Sequence, residues 1–434
     1  MHPASVARST GLWALNHGVP RVVFHLQARK GEPLARIQTD PVLREHPEAM
    51  WQQVRERGDL VRGGYAWVTA SLDVGSRVLR GDEFGVPLPE PSSPTARRLN
   101  RFRDPWAAGP VDPPSLLAID PPDHTRLRRL VSRAFTARRV AAMEADVEAT
   151  THKLLDQLAG ERRTDLIESF AAQLPVTVIA DLLGVPAEER APLLGWGDGA
   201  ARLLDTGLGL RQFRRAERAI REMHQWVDDH VERLRRQPGD DLLSAVIQQA
   251  DDLPADERPT RHELRALALL VLGAGFETTV NLIGNAVQLL SDHPDQRDAL
   301  VAAPDGWGNA VEEVLRYDSP VQLTARMVRR PVEVAGRSLR PGHAVVVMIG
   351  AMHRDPAVFG DPHRFDVTRE NAADHLAFSA GPHFCLGAGL ARVEARVGLA
   401  ALYDRYPTLS VEGHGVRRPT RVLRGFESLP VRLG

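Results

Sequence analysis

The sequence predicts a mainly α protein with a small β-sheet region, built as one large domain over residues 41–434 behind an N-terminal extension over residues 1–40. Two patterns carry this expectation. Apolar residues recur at three- and four-residue spacing through several long stretches, whereas β-branched runs bounded by turn residues occur in only two places. Composition agrees with a globular chain, since 43% of the 434 residues are hydrophobic, 26% charged and 5% aromatic. That balance excludes disorder and collagen-like fibres.

In chain order, the first apolar pieces, Gly11 to Leu15 and Val22 to Leu26, are short and separated by Asn16, His17, Pro20 and Arg21. They do not read as a signal peptide, and the extension is expected to be an extra helix or a flexible arm. Strand character follows over Leu60 to Ala70. The segment Val86 to Ser115 holds eight prolines together with Arg97, Arg98, Arg101 and Arg103, and reads equally as a linker or as a lid over a binding site. Helical periodicity then fills Val140 to Leu158, Leu166 to Leu183, Phe213 to Leu234 and Leu264 to Leu290. The last of these opens on a capping box, Thr260-Arg261-His262-Glu263. Its apolar run Leu267 to Phe276 is about half a membrane span, so no transmembrane segment is expected. Short strands are predicted over Val332 to Ile349, turned at Ala335-Gly336 and Pro341-Gly342, and a closing helix over Leu386 to Tyr403.

Charge and cysteine usage narrow the function. With 55 basic and 56 acidic side chains the net charge is -1, so nothing global draws the chain to nucleic acid or to an acidic membrane, and a charge-driven partner must use a local patch. The single thiol, Cys385, excludes intrachain disulfides and multi-cysteine metal sites and fits a reducing cytoplasm. Other motifs fall away. His262-Glu263 lacks a second metalloprotease histidine, Gly387-Ala388-Gly389 lacks the strand and third glycine of a dinucleotide fingerprint, and no nucleophile elbow or phosphate-binding loop is present.

Chemistry concentrates in Phe378-Ser-Ala-Gly-Pro-His-Phe-Cys385-Leu-Gly-Ala-Gly-Leu-Ala-Arg392. A cysteine just ahead of a helix N-terminus faces free N–H groups and the positive end of the helix dipole, which favour thiolate and make it a candidate soft metal ligand. Gly381 and Gly387 are expected to let a flat partner approach, and Phe378 and Phe384 to shield the sulfur. An isolated cysteine is more often a core residue. The spacing Phe-x-x-Gly-x-x-x-Cys-x-Gly, however, resembles the haem-binding loop of the cytochrome P450 family, the soluble bacterial type, and further family elements appear in order from about residue 40 onward.

The resemblance implies the cytochrome P450 fold, haem b (iron protoporphyrin IX) as cofactor and Cys385 as its iron ligand. It implies that Glu313 and Arg316, joined by Arg364, form a buried network under the cysteine loop. Within Ala274-Gly275-Phe276-Glu277-Thr278-Thr279 it makes Ala274 and Gly275 the haem-facing residues, Gly275 leaving room for oxygen, and Glu277 and Thr278 the catalytic proton supply. A plain reading of the same helix is a threonine bonded back to its own backbone and a glutamate in an ion pair. His124, Arg128, Arg326 and His383 match the family's propionate contacts. Ser379, where glycine is frequent, and His353, where asparagine is frequent, depart from the pattern.

The implied activity is monooxygenation of a lipophilic small molecule, with electrons from a ferredoxin and its reductase. A peroxide-driven or isomerising haem-thiolate enzyme, or a non-catalytic haem sensor, is the alternative. Arg126, Arg129, Arg133, Arg392 and Arg396 form the expected ferredoxin patch. The substrate walls are expected from the proline-rich segment, Leu203 to Leu210, Ala274, Gly275 and Val321 to Thr324.

Overall fold

The computed structural model describes residues 9–87 and 109–434, so the expected linker or lid falls mostly outside the described residues. A single helix, Arg261–Asp292, organises the body. Apolar residues lie all round it, the mark of a core helix, and it packs against helices Gln173–Leu182, Leu193–Arg202, Leu210–Arg236 and Ala388–Arg405. By length and composition it is apolar enough to cross a membrane, but 67% of its most apolar window is buried inside the protein. Its start follows the sequence expectation, because Thr260 Oγ1 accepts from the Glu263 N–H at 3.2 Å while the Glu263 carboxylate accepts from the Thr260 N–H at 2.7 Å. Close helix contact is bought by glycine at Gly197, where a Cβ would stand 1.9 Å from the Phe276 ring.

The small sheet joins distant parts of the chain. Its strands run in the spatial order Val61–Arg62, Trp67–Thr69, Ala344–Val347, Thr324–Val328, Phe84–Gly85. Trp67–Thr69 pairs in parallel with Val345–Val347, so an early strand is completed only by a late one. Successive residues of the late strand face opposite ways: Val345 and Val347 pack with Val74, Val78 and Leu79, whereas Val346 packs with Met50, Trp51 and Val54. Both faces are therefore covered.

The strand region Val332 to Ile349 resolves into Val332–Val334, Arg337–Leu339 and Ala344–Val347. Positive φ at Ala335 and Gly336 makes the two-residue hairpin turn. The region Leu166 to Leu183 is not one regular helix but a π-helical turn, Ile167–Ala171, leading into Gln173–Leu182. Pro175 sits in that helix's first turn, where its missing N–H removes no internal bond. Arg163–Asp165, Ser410–Val411 and Pro430–Arg432 form a further sheet that periodicity does not announce, since three residues are too few to show alternation.

The extension is helical from Ser9 to Arg29, with a π-helical turn at Ala14–Gly18. It is fastened to the segment ahead of helix Leu210–Arg236. Trp13 Nε1 donates to the Leu208 carbonyl at 2.8 Å, and His17 Nδ1 accepts from the N–H groups of Gly207 and Leu208 at 3.2 and 3.4 Å.

Candidate active site around Cys385

Helix Trp307–Tyr317 supplies the platform under the cysteine loop. Glu313 and Arg316, both fully buried, form a bidentate pair at 2.6 and 2.7 Å. The remaining guanidinium hydrogens of Arg316 go to the carbonyls of His353, Pro362 and Arg364. Bidentate geometry with every proton used is what lets such a pair survive burial. The third member differs from the expectation. Arg364 offers only its carbonyl, and its side chain points outward, 62% exposed, toward Asp366. Arg369 instead brings Nε to 3.3 Å from Glu313 and donates to the carbonyls of Gly360, Asp361 and Arg364. Asp361, whose carbonyl accepts from Arg369, sits in a turn with φ 44°. His353 links this platform to the loop, its ring Nε2 accepting the Leu376 N–H at 2.9 Å.

The loop closes on itself where the Cys385 N–H donates to the Phe378 carbonyl at 2.9 Å. Arg128 caps its outer turn, Nη2 lying 2.7 Å from the Phe384 carbonyl. Gly381 has φ 68°, and a Cβ there would meet the Leu79 carbonyl at 2.6 Å, so helix Leu72–Arg80 demands this glycine, not a flat partner as expected. Gly387 has no protein atom near a would-be Cβ. Ser379 occupies the left-handed region at φ 62°, which explains why glycine suits the position. The Arg392 guanidinium lies 4.5 Å from the centre of the Phe378 ring and is held there by a bidentate pair with Glu312 at 2.6 and 2.9 Å. Burial pushes the Glu312 carboxyl up, but His375 and Arg392 outweigh it and hold the group down at about 2.

Cys385 lies among many protein atoms yet keeps accessible surface, so it is not a core residue. Its electrostatics correct the sequence reading. Burial pushes the thiol up and prevails over the Gly387 N–H and the charges of Arg128 and Arg392, which pull the other way. A thiolate here is the form a bound metal cation would enforce.

On the central helix, Ala274 is exposed and Thr278, one turn on, is half-buried, although the turns around them are buried. Thr278 Oγ1 donates to the Ala274 carbonyl at 3.3 Å. Gly275 does not leave room on that face: its missing side chain is replaced by Ile179, whose Cδ1 lies 2.7 Å from a would-be Cβ. Glu277 is buried and does not meet solvent directly. Its Oε1 is 2.9 Å from Arg418, which also holds Asp198 at 2.9 Å, and Asp198 in turn pairs with Arg202. Burial pushes the Glu277 carboxyl up; the charge of Arg418 opposes this but does not reverse it.

The expected propionate contacts do come together. The rings of His124 and His383 are 4.3 Å apart, and His383 Nε2 lies 3.6 Å from Asp120. Arg326 is buried, and among the described residues it hydrogen-bonds to Thr324 Oγ1 and the Ala325 carbonyl. Asp120 is engaged by Arg329 and by the Val86 N–H, both at 3.0 Å. His124 Nε2 is buried without a hydrogen-bond partner among the described residues. Burial, with the Arg326 and His124 charges adding to it, lowers His383 to about 4, and burial with Arg128 lowers His124. Such a cluster is short of anions. A soft sulfur donor, a buried guanidinium with no ion-paired carboxylate among the described residues and an imidazole nitrogen with no partner among them fit haem b with its two propionates.

Three of the five patch arginines prove to be paired within the chain: Arg126 with Glu263, Arg392 with Glu312 and Arg396 with Glu144. Arg129 and Arg133 are exposed. Two of the expected wall segments, Leu203 to Leu210 and Val321 to Thr324, meet at the turn Arg421 to Leu423, which the sequence did not announce. Asp205 accepts from the N–H groups of Arg421 and Val422 at 2.9 to 3.0 Å, and the Val422 carbonyl accepts from the Gln322 N–H at 2.8 Å. Arg369, Arg418 and this turn carry no periodicity and no special spacing in one sequence, so only the fold exposes them.

The cytochrome P450 family model matches residues 308–423, which include both the platform and the cysteine loop. Over 424 residues, 97% of each chain, this protein is 46% identical to cytochrome P450 140 of Mycobacterium tuberculosis. It is 44% identical over 320 residues to 6-deoxyerythronolide B hydroxylase of Saccharopolyspora erythraea, covering 72% of this chain and 76% of that one. The solved structure of P450BioI, bound to an acyl carrier protein ligated with hexadec-9Z-enoic acid, superposes with a TM-score of 0.83 at 32% identity, over 90% of this chain and 100% of that one. With the site's geometry, these matches establish that the chain belongs to the cytochrome P450 family and is a haem b monooxygenase.

Proposed function

We propose that this enzyme hydroxylates a lipophilic small molecule in the cytoplasm, with electrons delivered by a ferredoxin and its reductase. The observation that carries the substrate class is the convergence of Leu203 to Leu210 and Val321 to Thr324 on the turn Arg421 to Leu423. These segments carry Leu203, Leu204, Leu208, Leu210, Val321 and Leu323, and aliphatic walls with few polar anchors select an apolar ligand. The names of two relatives, 6-deoxyerythronolide B hydroxylase and vitamin D(3) 25-hydroxylase, support the same class.

Haem b, when bound, supplies the chemistry of oxygen activation. Cys385 would hold the iron through its sulfur, and the loop positions that residue through the Cys385 N–H on Phe378 and Arg128 on Phe384. His124, Arg128, Arg326 and His383 hold the propionates. Thr278 exchanges its 3.3 Å bond to Ala274 for one to a proton acceptor on the Ala274 face. Glu277, its affinity for protons raised by burial, reloads that hydroxyl when it swings off Arg418.

The reduced, CO-bound spectrum tests the sulfur assignment. The wild type is expected to display the thiolate-type Soret band and Cys385→Ala to lose it; a band retained in the variant rejects the ligand. Turnover with ferredoxin and reductase, compared with peroxide alone, tests the electron source, and activity with peroxide only would favour the peroxide-driven reading. A screen of macrolide aglycones, sterols and fatty acids for a low-to-high-spin shift tests the substrate class, and shifts confined to polar compounds would reject it.

A further inference from the structure

We propose that the outer face of the N-terminal helix Ser9 to Arg29 docks on an anionic lipid surface. Leu15, Val19, Val22 and Leu26 are 37%, 57%, 60% and 51% exposed. Their spacing of four, three and four residues stacks them in one stripe on a helix. The stripe points away from the protein, opposite the face on which Trp13, His17 and Phe24 make their contacts with Leu208, Phe213 and Tyr65. Aliphatic side chains in a row, turned to water on the side away from the core, call for an apolar medium.

Charge selects that medium. The first thirty-one residues contain Arg8, Arg21, Arg29 and Lys30 and no aspartate or glutamate, in a chain whose overall charge is -1. Arg21, Arg29 and Lys30 are exposed at the flanks of the stripe. The nearest acids in sequence, Glu32 and Asp40, are engaged in capping the two helices that follow. An apolar stripe flanked by cations lies in the plane of a bilayer interface, its aliphatic face among acyl chains and its cations among anionic headgroups. A second copy of this chain matches less well, because packing stripe against stripe would bring the two sets of cations together.

Docking in this way has a consequence for the enzyme. The helix is hydrogen-bonded through Trp13 and His17 to Gly207 and Leu208, within a proposed substrate wall. On the reading that the substrate is lipophilic, the enzyme would draw it from the membrane that the helix touches.

The test is flotation of the haem-loaded enzyme with vesicles of phosphatidylglycerol and phosphatidylcholine, or of phosphatidylcholine alone. Binding is expected to the anionic vesicles and to weaken at high salt. Val22→Ser with Leu26→Ser is expected to weaken it at least about tenfold, and Arg29→Gln with Lys30→Gln about fivefold for each charge removed. Both variants are expected to keep the wild-type haem spectrum. Failure of the enzyme to float with either vesicle, or variants that float as the wild type does, would overturn the proposal. So would a dimer in sedimentation equilibrium that Val22→Ser with Leu26→Ser dissociates, without vesicle binding; that result assigns the stripe to a second copy. Because flotation needs no turnover, failure of the substrate reading leaves its result intact.

Discussion

Glu394, on the helix that follows the cysteine, is a fully buried carboxyl whose Oε2 has no partner among the described residues. Burial alone pushes it up to about 8. An unfolded glutamate loses its proton near its ordinary value, so between that value and about 8 the folded state holds a proton that the unfolded state does not. This stabilisation is complete at low pH and is lost as pH rises toward 8, by roughly a few kcal/mol. Glu394→Gln is therefore expected to raise the melting temperature most near pH 8 and to flatten its decline with pH. Parallel pH profiles for variant and wild type would remove Glu394 as the cause. At Thr278 the expected effect is on economy, not on folding. Thr278→Ala should release peroxide and lower the product formed per electron consumed, because the hydroxyl proposed to deliver protons is gone; unchanged coupling would return the residue to a purely structural bond with Ala274.

At the scale of elements, the close contact of helix Leu193–Arg202 with the central helix depends on Gly197. Gly197→Ala must displace Phe276 and is expected to cost about 1–3 kcal/mol, seen as a lower midpoint in thermal unfolding. An unchanged midpoint would mean that the helices separate at no cost. Elements also mark how far the sequence could be read. The long helices were legible because a stripe of apolar residues is a direct image of the face they bury. The capping box at Thr260 and Glu263 was legible because it is local. Arg364 and Arg369 lie in one irregular loop, where nothing periodic reports which guanidinium turns inward; only the folded loop shows that Arg369 meets Glu313 and the carbonyls around it. Likewise the spacing around Cys385 pointed to the family's loop, while the reason for Gly381 lay in a helix about three hundred residues earlier.

For the whole molecule, charge is balanced globally and resolved locally. Of the arginines expected to face a ferredoxin, those paired with Glu263, Glu312 and Glu144 have their charge answered from within. Arg129 and Arg133 remain for a partner. Arg129→Glu with Arg133→Glu is expected to raise the KM for ferredoxin severalfold at low salt, with little change in peroxide-driven turnover. Equal ferredoxin kinetics in the variant would place the docking surface elsewhere.

The parallel pairing of Trp67–Thr69 with Val345–Val347 has a meaning for synthesis. A ribosome must add all the residues between Thr69 and Val347 before the earlier strand can meet its neighbour, roughly a quarter of a minute to one minute at ordinary elongation rates. Throughout that interval Val68, buried in the finished protein, waits without its late partner strand. The sheet therefore closes only after Val347 has been added, and until then the early strand lacks its parallel neighbour.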